Sequence, residues 1–253
     1  AKCYRANNDY ARCISLYQQV LNTVTNEFDK NAALAGTAKA KARLYGAEDT
    51  SDVDAIVQYL IDNKQDFEQS GYHLFQIGEE YYLRAEETKE IDKQQSEKDY
   101  KKALEIWQKN INLIKDRKHQ AMASYFTAVS YKYLNDSPKS ASYYLKVFRD
   151  FPESKFAAHS LFMVGRNLEK PNISVNDLNT DNFDSTDPNE TSDTLLYSEP
   201  VEDTDPNSES LYISEPSESI GSTSDAYELL LEEYPDSPAA VYARRWLNRR
   251  NSK

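Results

Sequence analysis

Between residues 70 and 170 the chain repeats one arrangement: a helix, a connection, a second helix, and then the same again. SGYHLFQIGEEYYLRA is followed by SEKDYKKALEIWQKNI, and HQAMASYFTAVSYKYL by SPKSASYYLKVFRDFP; the pattern restarts at ESKFAAHSLFMVGRNL. Small residues stand at Gly78, Ala128 and Gly165, each with an aromatic or apolar residue three places on, at Tyr81, Tyr131 and Leu168. The second helices offer a small residue with a large one four places later, Ala103 with Trp107 and Ser140 with Tyr144. Residues three and four apart share a helix face. The spacing therefore predicts antiparallel helices crossing closely at the small residues, with tyrosine and tryptophan filling the space between one pair and the next.

A single helix pair cannot bury its apolar stripe alone, so pairs that recur at a period of roughly 34 to 47 residues must stack into an α-solenoid. An ordinary helical bundle can carry the same stripes, but the recurrence of the register favours the stack. The register resembles that of the tetratricopeptide repeat (TPR) family. Ile77, Gly78, Tyr81, Ala103 and Trp107 match it in one repeat; Ala128, Tyr131, Ser140, Tyr144 and Pro152 match it in the next. The phrases DFPESKFAAHSLF (150–162) and EYPDSPAAVYARRW (233–246) resemble TPR proteins of the bacterial cell envelope, of the kinds that partner the Tol-Pal system and assemble outer-membrane β-barrels. The resemblance spans about three quarters of the chain. It implies an all-α, TPR-like superhelix of about five helix pairs, working as a non-catalytic scaffold for a protein or peptide partner, in the periplasm or elsewhere in the cell envelope. A cytoplasmic location is the alternative.

Composition narrows the function classes. Six glycines among 253 residues are few for an α/β enzyme domain, which spends glycine on turns and phosphate loops. The net charge of −12 argues against nucleic acid, and no apolar run approaches the ~20 residues of a membrane span. Ala1 is not an initiator residue, and AKCYRANNDY reads as the end of a first helix and its turn. Further sequence is thus expected upstream, where a signal peptide, a lipid anchor or another domain would stand. Cys3 and Cys13 fall on neighbouring helices and could meet, but small core residues are the preferred reading.

Taken in order, Asp9 is placed to cap a helix on which Cys13, Tyr17 and Val20 face the core. The Ala-rich run 31–46 is strongly helical and stops at Gly46. Asp52 or Ser51 is expected to cap the helix that follows. The connection EETKEIDKQQSEKD predicts that both flanking helices run beyond the usual length, and NDSP predicts a tight turn with Pro138 at a helix start. The repeats thus occupy residues 1–170. The fifth is interrupted after a helix over 154–168. Residues 171–223 form an acidic, low-complexity insertion, and residues 224–253 complete the repeat with a short helix to 233 and a final one over 236–249. Residues 171–224 hold 13 of the 42 acids and no Lys or Arg, which leaves 29 acids against 30 bases elsewhere, a net of +1. Rich in Ser, Thr, Asn and Pro, the insertion lacks the apolar surface to fold alone. It carries a near-duplication, LLYSEP (195–200) and LYISEP (211–216), that would suit bivalent capture or reflect drift in a tolerated surface loop, and sequons at Asn172 and Asn189 that matter only in a chain secreted from a eukaryote.

No nucleophile, phosphate-loop, dinucleotide or zinc-protease signature is present. Glu79-Glu80 and Glu86-Glu87 are sequence neighbours, which do not face one another on a helix. His73 and His159 hold equivalent repeat positions with no recurring carboxylate or cysteine, and His119 stands apart from both. No catalytic residues, metal or cofactor are expected. In a TPR superhelix the inner face of each first helix lines a concave groove. The register places Tyr72, Phe75, Glu79 and Tyr82 there, then Met122, Tyr125 and Lys132, then His159, Phe162 and Arg166. Phe75, Tyr125 and Phe162 would form an aromatic column, suited to an extended peptide or partner helix. TPRs that clamp a C-terminal carboxylate use Lys and Asn at these positions, and this chain does not. The rival reading is a regulatory or sensor module of a larger protein.

Overall fold

The computed structural model describes residues 9–62, 67–170 and 220–251. Ten α-helices account for most of them, and no strand occurs among the described residues. They are α1 (Tyr10–Leu21), α2 (Glu27–Tyr45), α3 (Ser51–Asp62), α4 (Phe67–Thr88), α5 (Lys93–Asn110), α6 (Arg117–Tyr133), α7 (Ser137–Asp150), α8 (Ala157–Leu168), α9 (Thr223–Glu233) and α10 (Pro238–Asn251). The chain forms two compact units, Ala1–Leu134 and Asn135–Lys253. The division falls inside the stretch expected to be the fourth helix pair. Within each unit, helices pack on their sequence neighbours.

The helix starts follow one rule. Asp9, Asn26, Asp92, Asp116 and Asp136 each precede a helix, and each side chain accepts the backbone N–H three residues on, from Arg12, Asp29, Gln95, His119 and Lys139. Ser222 does the same for α9 through the N–H of Asp225. An Asx or Ser cap satisfies one of the orphan donors of the first turn and stabilises a helix by about 1 kcal/mol. Ahead of α3 the cap differs from expectation. The helix begins at Ser51, and it is Thr50 whose carbonyl accepts the Asp54 N–H while its hydroxyl donates to the Asp54 carboxylate. α2 ends at Gly46, whose φ of 61° a β-carbon would strain. The turn after α6 uses Asn135, also at φ 61°, the non-glycine residue type best suited to that region. α4 and α5 do run long, at 22 and 18 residues, so only 89–92 separate them.

α2 has no one-sided apolar stripe. Asn31, Ala33, Ala35, Gly36, Thr37, Ala38, Ala40 and Ala42 are all buried, because α1, α3 and α4 pack around it and alanine lets each approach. Gly36 accepts the ring of Tyr17 from α1, where a β-carbon would fall 2.3 Å from Cζ. On α1, Cys13 is buried and Val20 is 44% exposed, so the inward stripe stops short of Val20. Cys3, the other cysteine, lies outside the described residues.

The core of the first unit is aromatic. Trp107 lies fully buried over Gly78, and its Nε1 donates to the carbonyl of Phe75 at 3.1 Å. Tyr82 stacks on Phe126 at 4.5 Å and meets Tyr100 edge-on at 5.9 Å. Beneath this core sits a buried polar knot. Asp99, wholly shielded from solvent, accepts from the Ala47 N–H at 2.6 Å, pairs with Arg84 at 3.3 Å and accepts from Gln95 at 3.1 Å. It ties the corner after α2 to α4 and α5. Burial pushes its carboxyl up from the ordinary value, while the Ala47 N–H and Arg84 pull against that shift.

In the second unit α7 packs on α8, and α8 on both α9 and α10. Tyr227 of α9 covers Gly165 of α8, where a β-carbon would fall 2.4 Å from Cε1, and donates through its hydroxyl to Glu169 at 2.7 Å. The Tyr234 hydroxyl donates to the Pro152 carbonyl at 2.9 Å. The acidic insertion, with its sequons and its duplicated SEP phrases, lies outside the described residues except at its C-terminal edge, where Ile220 is buried and Ser222 forms the cap.

Candidate functional site

On α4, Tyr72, Gln76, Glu79, Leu83 and Glu87 are partly or fully exposed along one strip, while Arg84, Glu86 and Thr88 are partly exposed off it near the end of the helix. The successive spacings of three and four residues keep the strip along one helix face. Its neighbours come from alternate helices, because α4 touches α2 on one side and α6 on the other. Lys39 of α2 donates to Gln76 at 2.7 Å, and Gln76 in turn donates to the Tyr72 hydroxyl at 2.7 Å. The Tyr72 ring meets His119 of α6 edge-on at 5.1 Å. His119 Nδ1 lies 2.7 Å from Asp116 Oδ1. A polar and aromatic ladder therefore runs across α2, α4 and α6.

The upper end of the strip is charged. Arg43 of α2 bonds Glu87 at 2.6 Å, approaches buried Glu80 at 3.8 Å, and donates to the Tyr10 hydroxyl at 3.3 Å. Burial works against the charge on this guanidinium, and the bonds to Glu87 and Tyr10 more than restore it, so its pKa is raised. At the same end, just after α4, Lys89 pairs with Glu86 at 3.0 Å and lies over the Tyr133 ring of α6 at 4.3 Å. These ties fix long side chains that would otherwise lose rotamer freedom on meeting a ligand.

Among the expected groove residues, the structure brings Tyr72 (41% exposed) and Glu79 to the α4 strip. Phase separates them from the rest. Phe75 is 2% exposed, between Trp107 at 6.5 Å and His119 at 4.8 Å, and Tyr82 is buried on Phe126. Tyr125 is buried as well, and Met122 is half-buried against the core. Lys132 is exposed at the end of α6. Phe75 and Tyr125 are thus core members rather than an open column, because on α4 and α6 that face is taken up by the neighbouring helices. His159, Phe162 and Arg166 lie in the second unit, on α8. His159 meets Tyr144 edge-on at 6.3 Å; Phe162 is half-buried, stacked on Tyr227 at 5.7 Å; Arg166 is exposed.

Gln76, Leu83 and Lys39 were not among the expected site residues. Leu83, a large apolar residue 39% exposed beside Glu79 and Glu87, was the signal available on α4. Lys39 sits in an alanine run whose burial on all sides no periodicity discloses. Chemically the strip offers an aromatic ring, an amide, aliphatic surface and charges of both signs. Among the described residues no group of histidine, cysteine and carboxylate side chains could hold a metal ion, and no helix is long and apolar enough to cross a membrane. No family model matches the chain, and no curated protein matches it.

Proposed function

We propose that the protein is an α-solenoid of the tetratricopeptide kind and works without catalysis, holding an extended segment of another protein against the row formed by α2, α4 and α6. The observation that carries this reading is the pattern of helix neighbours. α2 packs on α4 and α4 on α6, in addition to the helices adjacent in sequence, and α8 packs on α10 in the same alternating way. In a stack of pairs, first helices meet first helices and expose a continuous face. The Lys39–Gln76–Tyr72–His119 ladder lies on that face in the first unit. Aromatic and aliphatic anchors flanked by a few charges suit an extended peptide. The cell-envelope setting rests on the phrases at 150–162 and 233–246 and comes with the proposal.

Random-peptide display on the immobilised chain tests the function. Retained peptides should compete with one another for one site. Their affinity should fall about tenfold or more, ~1.4 kcal/mol, with Tyr72→Ala plus Leu83→Ala. Retained peptides that bind that variant undiminished, or none retained at all, would overturn the reading. Cell fractionation tests the location separately, and recovery with the cytoplasm would remove the envelope part alone.

A further inference from the structure

The second unit carries a different surface. α10 contains Arg244, Arg245, Arg249 and Arg250 and no acid over its 14 residues. All four arginines are exposed, and none pairs with a carboxylate among the described residues. Arg250 lies over the Trp246 ring at 5.7 Å. Tyr242, 43% exposed, stands on the same helix face as Arg245 and Arg249, at spacings of three and seven residues, and its ring meets Phe162 of α8 at 5.9 Å. The result is an aromatic and arginine face with no anionic counterpart in the described parts of its unit. Four unpaired guanidinium groups on one helix repel one another and attract acidic chain.

Such chain is tethered to the same unit. Residues 171–219 leave directly after α8 and its turn and return directly before α9. They hold 13 acids and no base, with the aromatic-aliphatic clusters LLYSEP and LYISEP set among them. Leu211 precedes Ile220 by nine residues, a tether of up to about 30 Å, against a helix about 21 Å long. Charge, aromatic content and reach all match.

We propose that residues 193–219 dock in cis on the Tyr242, Arg245 and Arg249 face of α10, carboxylates on the guanidinium groups and a tyrosine of one SEP phrase beside Tyr242 and Phe162. A tethered segment engages such a face at a local concentration on the order of millimolar. This surface lies in the second unit and its docking does not depend on a partner at α4.

The test uses the 253-residue chain and a labelled synthetic peptide of residues 193–219, with binding read by fluorescence anisotropy. Three proteins are compared: the parent, a variant with the acids of residues 193–219 neutralised (Asp→Asn, Glu→Gln), and that neutralised variant with Arg245→Glu and Arg249→Glu. Millimolar self-competition against a site of about 0.1 mM affinity predicts that the neutralised variant binds the peptide about tenfold tighter than the parent. The charge-reversed variant should not bind, and Tyr242→Ala in the neutralised variant should weaken binding with circular dichroism unchanged. Raising salt should weaken every measured affinity. Equal affinity for parent and neutralised variant would overturn docking in cis, as would binding that survives charge reversal, or no binding at all. Sedimentation of the parent should show no dimer that Arg245→Glu and Arg249→Glu abolish; finding one would place the segment on a second copy and overturn the proposal.

Discussion

Tyr227 covers Gly165 in the second unit just as Trp107 covers Gly78 in the first. In both, a large ring of one helix fills the notch left by a missing β-carbon on the helix before it. The second notch is closed across residues 171–219, so α8 and α9 form an ordinary helix pair despite the long stretch of chain between them. Both rings are buried and rigidly packed, and neither can retreat from a new side chain.

Gly78→Leu and Gly165→Leu should therefore overpack their crossings and cost about 1–3 kcal/mol each. Thermal unfolding measures the loss. Trp107→Leu should recover part of the Gly78→Leu deficit, because the ring is what the new side chain meets. A Gly78→Leu chain that melts like the parent would show the notch to be empty.

Deleting residues 171–219 should leave the helices intact. Tyr227 to Glu169, Tyr234 to Pro152 and the Gly165 notch already join the two sides, and loop-closure entropy changes slowly with loop length. Circular dichroism should show the same helical signal in absolute terms. The 13 acids leave with the segment, so the shortened chain should lose solubility at low salt. Loss of helicity on deletion would make the segment part of the fold.

Tyr81, Tyr100, Tyr227 and Tyr234 all have phenols raised above 10, first by burial; for Tyr100 and Tyr227 the neighbouring carboxylates Glu86 and Glu169 add to it. A phenol that loses its proton less readily when folded leaves stability intact below pH 10 and erodes it above, by about 1.4 kcal/mol per group per pH unit until its folded value is reached. The chain should unfold steeply in alkali. Absorbance at the phenolate band should then show these four tyrosines ionising only together with the loss of helicity. A smooth titration that precedes unfolding would contradict their burial.

Asp99 gives a slope at the other end of the scale. Its folded pKa is raised above 3.8, so folding takes up a proton between that value and the raised one, and stability falls as pH rises through that window. Asp99→Asn should remove this component from the pH profile of denaturant midpoints. Asp99→Ala should cost about 3 kcal/mol at neutral pH, since it strands Arg84 and the Ala47 N–H together.

Asp9 was legible as a cap, as aspartate ahead of an apolar run, and Gly46 as a stop, but Asn26, Asp92, Asp116 and Asp136 do the same work in stretches whose polar residues all look alike. Small residues at helical spacing also marked Gly78 as a close crossing, because that signal is local to two helices, but that Trp107 of the same pair fills the notch was not legible in it. The knot around Asp99 was not legible, for it joins three segments by side chains ordinary in composition. Nor was Gly71, whose missing β-carbon admits the Leu113 carbonyl, a backbone approach with no side chain to announce it. The candidate surface shows the same limit. Periodicity groups Phe75 with Tyr82 and Tyr72 with Gln76, Glu79 and Leu83, but which group meets solvent depends on where α2 and α6 come to rest. Phe75→Ala should accordingly cost about 3–5 kcal/mol of stability, as a core truncation does, where an open groove residue would cost almost nothing.

α2 turns that limit into a property of the protein. A helix sheathed in methyl groups has no oily side and no wet side, so hydrophobicity barely opposes its spinning about its own axis. What stops it is a lock with few wards: the gap at Gly36 that admits Tyr17, and the three cations Lys39, Lys41 and Arg43 that must reach Gln76, Asp52 and Glu87. Filling the gap with Gly36→Ala should therefore do more than weaken the fold. It should let the helix settle at more than one angle, and amide spectra of α2 should show doubled resonances while the caps at either end stay single.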